Sequence, residues 1–154
     1  MKVSGVYTVP APADRTYALL QDPAILTKCM PGCEGLDRVT DNEYNMRMKM
    51  VQASISGQFT GKVKIADADP PKSFRLMVDG SGKIGFMKGD GLLTITEAIG
   101  GSSVKFDGEV QVGGTIAGIG QRLLDTTTRM LIKRFFDQLA VEAAKPETQR
   151  LAAD

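Results

Sequence analysis

The chain has no histidine and no tryptophan, and only 6% of its 154 residues are aromatic. Without imidazole, no side chain ordinarily titrates near neutrality, so acid–base chemistry would need a displaced carboxylate, tyrosine or lysine inside a site. Two cysteines, Cys29 and Cys33, are too few for a closed metal site, which needs about four ligands. The three residues between them do not match the two-residue spacing of a redox pair. A cysteine nucleophile would lack its histidine base. Nor is there charge of one sign: 19 basic residues against 18 acidic leave +1, no electrostatic case for nucleic acid. No apolar run of roughly eighteen residues is present, so nothing reads as a membrane span, and no apolar leader core opens the chain. The expected address is the cytoplasm, with peripheral membrane contact open, and the two cysteines are expected as free thiols there.

What remains is pattern. Lys2 to Val9 alternates as a strand, with Val3, Gly5, Tyr7 and Val9 on one face. Pro12 to Leu20 reads as a short helix. Asp22 caps a second, with Pro23 in its first turn, and Pro31-Gly32 breaks it. From Cys33 the period becomes two. Tyr44, Met46, Met48 and Met50 share one face of a strand over Glu43–Val51, and Phe59, Val63 and Ile65 share one face of the next. Phe74, Leu76 and Val78 follow, then Leu93 and Ile95, then Val104, Phe106, Val110 and Val112. Apolar residues on one face and charge on the other mark half-buried antiparallel strands. Glycines within the strand patterns (Gly57, Gly61, Gly108) suit curvature, whereas Gly80–Gly82 and Gly89–Gly91 read as flexible points between strands. Glycines 113, 114, 118 and 120 mark a sheet-to-helix junction. From about Ile119 to Ala144 an amphipathic helix presents Leu123, Thr127, Met130, Leu131, Phe135 and Leu139, and Leu124, Ile132 and Phe136 widen the stripe.

This order predicts an α+β domain over 1–146 with a frayed tail over 147–154. A curved antiparallel sheet of about seven strands wraps a long C-terminal helix, and two short helices follow the first strand. One helix has a long apolar sheet face to cover, and bulky side chains are few, so an apolar cavity is expected between the two. Its expected walls are Met46, Met48, Phe59, Leu76, Phe106, Leu123, Met130 and Phe135, with Phe86 at the mouth. Methionine suits such a wall because it is flexible and polarizable. Lys133, Arg134, Asp137 and Glu142 read as a solvated helix face.

Four segments carry a resemblance. Residues 22–34 (DPAILTKCMPGCE), 57–63 (GQFTGKV), 69–71 with 80–86 (DPP, GSGKIGF) and 112–123 (VGGTIAGIGQRL) resemble, in order, motifs of the carbon monoxide dehydrogenase G-subunit family, within the START and Bet v 1-like superfamily. The resemblance implies a helix-grip fold and a non-catalytic accessory protein. It further implies a hydrophobic small molecule, a quinone or lipid, as non-covalent ligand. The implied partner is a molybdenum hydroxylase of the carbon monoxide dehydrogenase type, served by membrane recruitment or by delivery of an electron acceptor. Two other readings stay open: a cyclase or aromatase acting on polyketides, for which Tyr7 and Tyr44 are the inward polar groups, and an empty scaffold for enzyme assembly.

Overall fold

The computed structural model describes residues 1–51 and 55–146. Strand β1 (Lys2–Val9) leads into α1 (Ala13–Leu20) and α2 (Pro23–Cys29). Six strands follow: β2 (Cys33–Thr40), β3 (Glu43–Val51), β4 (Ser56–Asp69), β5 (Ser73–Gly82), β6 (Gly85–Ala98) and β7 (Gly101–Gly113). A 3-10 turn at Thr115–Ile119 precedes α3 (Gln121–Ala144). The strands form one sheet in the order β1-β7-β6-β5-β4-β3-β2, antiparallel at every step. Strands β2 to β7 are a simple meander. The two short helices carry the chain from β1 at one edge to β2 at the other.

Local chemistry fixes the boundaries. Proline cannot donate a backbone hydrogen bond, so Pro12 is the cap of α1 and Pro23 opens α2, where the Asp22 carboxylate accepts from Ala24 N at 2.9 Å. Gly120 (φ 98°) turns the backbone from the 3-10 segment into α3 in a conformation that few other residues adopt. The inward row of β3 is buried throughout: Tyr44, Met46, Met48 and Met50. With Val63, Ile65, Phe74, Leu93, Ile95 and Val104 it forms the core that α1 and α3 cover.

Two expectations are corrected. Gly89 and Gly91 do not lie between strands. They sit in the middle of a fourteen-residue β6, paired with Val110 and Gly108 of β7, and the hairpin tip falls earlier, at Gly82–Gly85. Glycine's turn propensity is overridden because both neighbouring strands supply an unbroken ladder. Glu142 does not lie on a wet face: its side chain is 1% exposed. Helix residues advance about 100° each, so Leu124, Leu131, Phe135 and Glu142, spaced by seven, four and seven, fall on one line facing the sheet. The expected frayed tail at 147–154 lies outside the described residues.

Candidate functional site

The candidate site is an apolar cavity of about 230 Å³ between the middle of the sheet and the middle of α3. Strand β3 contributes Met48 and Met50, β5 contributes Leu76 and Val78, β6 contributes Met87, Gly89 and Leu93, and β7 contributes Phe106 and Val110. The opposite wall is Leu131, Ile132, Phe135 and Phe136 of α3, and Met30-Pro31 closes one side. Among the described residues Lys88 is its one charged lining residue. Four of the lining residues are methionines, unbranched and polarizable, so the wall can repack around an irregular apolar guest.

The cavity exists because the sheet is stripped of side chains at its centre. Alternation along β6 points Met87, Gly89, Gly91 and Leu93 inward. A Cβ added at Gly89 would meet nothing within 4 Å, so the empty space begins at that backbone. At Gly91 and Gly108 the added Cβ would strike the ring of Phe106, which therefore lies over both glycines. Phe106 covers the bare backbone and leaves the volume above Gly89 open. Phe136 is held in place on the helix side by a parallel stack with Tyr7, centroids 4.1 Å apart and planes 7° apart.

Of the nine residues expected at the wall, Met48, Leu76, Phe106 and Phe135 meet at this cavity. Met46 and Phe59 face inward but are fully packed in the core, away from the empty space. Leu123 is 43% exposed, because the inward line of α3 runs through Leu124 rather than Leu123. Met130 is seven residues on from Leu123, shares its azimuth, and is half-buried outside the cavity. Phe86 lies on the outer face of the sheet at 39% exposure, its ring over Gly113 and 5.9 Å from Lys88 Nζ. It does not line the cavity. The rest of the lining was not expected there: Met30-Pro31, Met50, Val78, Met87, Lys88, Gly89, Leu93 and Val110 on the sheet side, and Leu131, Ile132 and Phe136 on the helix. The period-two row of Met87, Gly89, Gly91, Leu93 and Ile95 is the signal in the sequence for Met87, Gly89 and Leu93.

Among the described residues no acid–base pair faces the cavity. Tyr44 is buried in the core and Tyr7 is stacked on Phe136, and neither lines it. The buried carboxylate, Glu142, lies one helical end away. Its Oε2 is 2.7 Å from Lys145 Nζ and its Oε1 is 3.7 Å from Lys28 Nζ, although neither oxygen has a well-aligned hydrogen bond. Beside it, the Cys29 thiol is pushed up to about 12, first by burial and then by the Glu142 charge, with Lys28 opposing. Burial likewise raises the Cys33 thiol. Neither is poised as a nucleophile. Among the described residues no group of three His, Cys, Asp or Glu side chains is placed to hold a metal ion. Two larger grooves, of about 470 and 460 Å³, lie on the wet face among Lys2, Arg75, Asp90, Glu109 and Lys62. Their charged walls suit water rather than an apolar guest.

A curved antiparallel sheet closed by one long C-terminal helix, with an apolar cavity between them, defines the Bet v 1-like helix-grip class. The model of the CoxG family, the G subunit of carbon monoxide dehydrogenase, matches residues 5–144, and the chain belongs to that family. A conserved protein from Geobacillus kaustophilus is similar in structure at 28% sequence identity, with a TM-score of 0.89 over 94% of this chain and 95% of that one. A protein from Thermus thermophilus shares the fold at 17% identity and TM-score 0.69, covering 100% and 99% of the two chains. So does Ara h 8.0201, at 14% identity and TM-score 0.67, covering 93% and 97%. Among curated proteins nothing matches. No described helix is long and apolar enough to cross a membrane.

Proposed function

We propose that the protein is a non-catalytic carrier that takes a hydrophobic small molecule, a quinone or lipid, into the cavity between sheet and helix. In that role it serves a molybdenum hydroxylase of the carbon monoxide dehydrogenase type by delivering the molecule as electron acceptor. The observation that carries this reading is the wall itself: among the described residues it is apolar but for Lys88, and it is bare at Gly89, where an added Cβ would meet nothing within 4 Å. Apolar burial supplies the affinity, at roughly 25 cal/mol per Å² before ordering costs. Family membership supports the partner, since the family takes its name from a subunit of that enzyme.

Size refines the ligand. About 150 Å³ of dry cavity suffices for benzene, whereas drug-sized ligands occupy about 300–1,000 Å³. At about 230 Å³ this cavity encloses one or two rings, or a short stretch of chain. A quinone ring fits it, and a long isoprenoid tail extends beyond it. The cyclase reading is the weaker one, because a cyclase needs a positioned acid–base group in the cavity, and among the described residues its lining is apolar but for the exposed Lys88.

The test is native mass spectrometry of the purified protein, followed by solvent extraction and mass analysis of what is released. A quinone or lipid at near-stoichiometric level is expected. Protein that stays empty after incubation with membrane extract, yet still binds the hydroxylase, would replace the carrier by a scaffold.

A further inference from the structure

The sheet has two edges, and the chain guards only one of them. An edge strand offers unpaired backbone groups to any strand that approaches, and folds ordinarily blunt it with charge, bulges or proline. Strand β2 is blunted. Its pairing with β3 slips at Cys33/Gly35 and again at Arg38/Thr40, and Glu34, Asp37 and Arg38 stand along it. Its exposed valine, Val39, sits at the second slip. Strand β1, at the other edge, is bare of these devices but for Lys2 at its start. Its register against β7 is unbroken from Lys2 to Val9, and Pro10 lies beyond its end.

The open groups of β1 can be named. Met1 and Val110 exchange two backbone hydrogen bonds, of 3.0 and 2.8 Å. Alternation then turns the odd-numbered residues of β1 toward β7, and the N–H and C=O of Ser4, Val6 and Thr8 toward the open side. Among the described residues no other element forms a backbone hydrogen bond to them. The Val6 side chain is 65% exposed. Beside this edge runs a groove of about 310 Å³, with Val3, Ser4 and Tyr7 on one wall and Arg129, Ile132 and Asp137 of α3 on the other. Lys133 Nζ lies 2.7 Å from Asp137 Oδ2, whereas Arg129 forms no ion pair among the described residues.

We propose that β1 pairs with β1 of a second copy of this chain, antiparallel about a two-fold axis at Val6, so that two sheets become one. That register sets Val6 against Val6, and Ser4 against Thr8 of the second copy, each pair exchanging both backbone bonds. It ends at Pro10, which has no N–H to give. The two exposed valines leave water together. The helices supply a second complementarity. Strand β7 leads into α3, Val110 lies beside Met1, and Tyr7 stacks on Phe136, so α3 runs in the same sense as β1. The groove sets Val3 to Tyr7 alongside residues 129–137. The same axis therefore lays the two α3 segments antiparallel, and Arg129, unpaired within one chain, meets Asp137 of the second copy, twice over. A two-fold interface requires such self-complementarity. An extended peptide from another protein is the weaker fit, because it would have to bring its own carboxylate to Arg129, whereas a second copy carries one in place. Since β2 is guarded, one pairing uses up the open edge and the assembly stops at two. The pairing does not depend on what the cavity holds.

Sedimentation velocity over a concentration series tests the pairing. The wild-type chain should sediment as a reversible dimer. Val6→Lys, at an exposed position where the fold of the single chain is not at stake, sets two ammonium groups against each other on the axis. It should raise the dissociation constant roughly tenfold or more. Arg129→Asp should also weaken pairing, because it faces a carboxylate with a carboxylate. Adding Asp137→Arg should restore the dissociation constant to within about threefold of wild type. Amide exchange reads the register: the N–H groups of Ser4 and Thr8 should exchange slowly in the dimer and fast in Val6→Lys. A wild-type chain that stays monomeric, or that grows into larger assemblies with concentration, would overturn the proposal. So would a dimer indifferent to Val6→Lys, a charge swap that fails to restore pairing, or fast exchange at Ser4 and Thr8 within the dimer. A monomer that instead takes an extended peptide along β1 would overturn it as well.

Discussion

Gly89 faces a space that a side chain would fill, and Gly89→Leu tests whether that space is both real and used. The backbone there is ordinary extended strand, paired with Val78 and Val110, so a leucine meets no dihedral penalty. Its four carbons occupy about 100 Å³ at native packing density, close to half of the cavity. Burying the side chain contributes about 1.5–3 kcal/mol, and replacing glycine in a strand adds about 0.5–1 kcal/mol. Fixing the leucine rotamer costs about 0.5–1 kcal/mol. The net is a stabilisation of about 2 kcal/mol in the ligand-free protein, a rise in Tm of about 6 °C for a chain of this length. The same change should lower affinity for an apolar fluorescent probe, or for a short-chain quinone, by at least tenfold, because a guest must now displace packed carbon. Thermal melts of ligand-free protein and a probe titration read the two effects independently. If Gly89 faced water, leucine would be exposed, Tm would not rise and binding would be unchanged. If the cavity were already filled by its own walls, leucine would overpack it and Tm would fall by several degrees. Either result would refute the reasoning.

Gly91→Ala should act on the same cavity indirectly, since its Cβ must push the Phe106 ring into the empty volume: weaker probe binding with a change in Tm of only a few degrees is expected, and unchanged binding would show that Phe106 is not what bounds the space. The Glu142 cluster should respond asymmetrically in urea denaturation. Glu142→Met removes the buried charge and leaves Lys28 and Lys145, both over a third exposed, to water, so stability should change by less than about 1 kcal/mol. Lys28→Ala with Lys145→Ala instead strands a buried carboxylate and should cost about 2 kcal/mol, solvent screening of the partly exposed lysines included; equal costs would show that the pair is worth its desolvation. Cys29 should resist alkylation at pH 8 until the protein unfolds. Its folded value lies above the ordinary 9.0, so the neutral thiol is favoured in the fold: that contribution is fully present below pH 9 and is lost as pH rises from 9 to about 12. Alkylation of native protein at the rate of a free thiol would contradict the burial assigned to it.

The sequence carried the architecture further than it carried the cavity, and the reason lies in which signals are local. Strand β3 is legible because Tyr44, Met46, Met48 and Met50 alternate with Asn45, Arg47 and Lys49, and period two needs no knowledge of partners. The phase of α3 is not legible in the same way. Leu123 and Leu124 are equally apolar and about 100° apart, and only the sheet decides that Leu124 turns inward, taking Leu131, Phe135 and Glu142 with it. Glu142 is therefore dragged into the core by its place on that line, where Lys145, three residues on, pairs with it, and Lys28 comes from α2 to meet it, a contact that spacing along the chain does not reveal. Gly89 shows the same limit from the other side. Within β6 a glycine reads as a break, because the chain alone shows a missing side chain and not what the absence leaves behind. It becomes a cavity only when Val78, Val110 and Phe135 are brought around it. A site made of chemistry announces itself by residue type. A site made of empty volume is defined by side chains that are not there, and it can be located only once the walls that fail to fill it are in place.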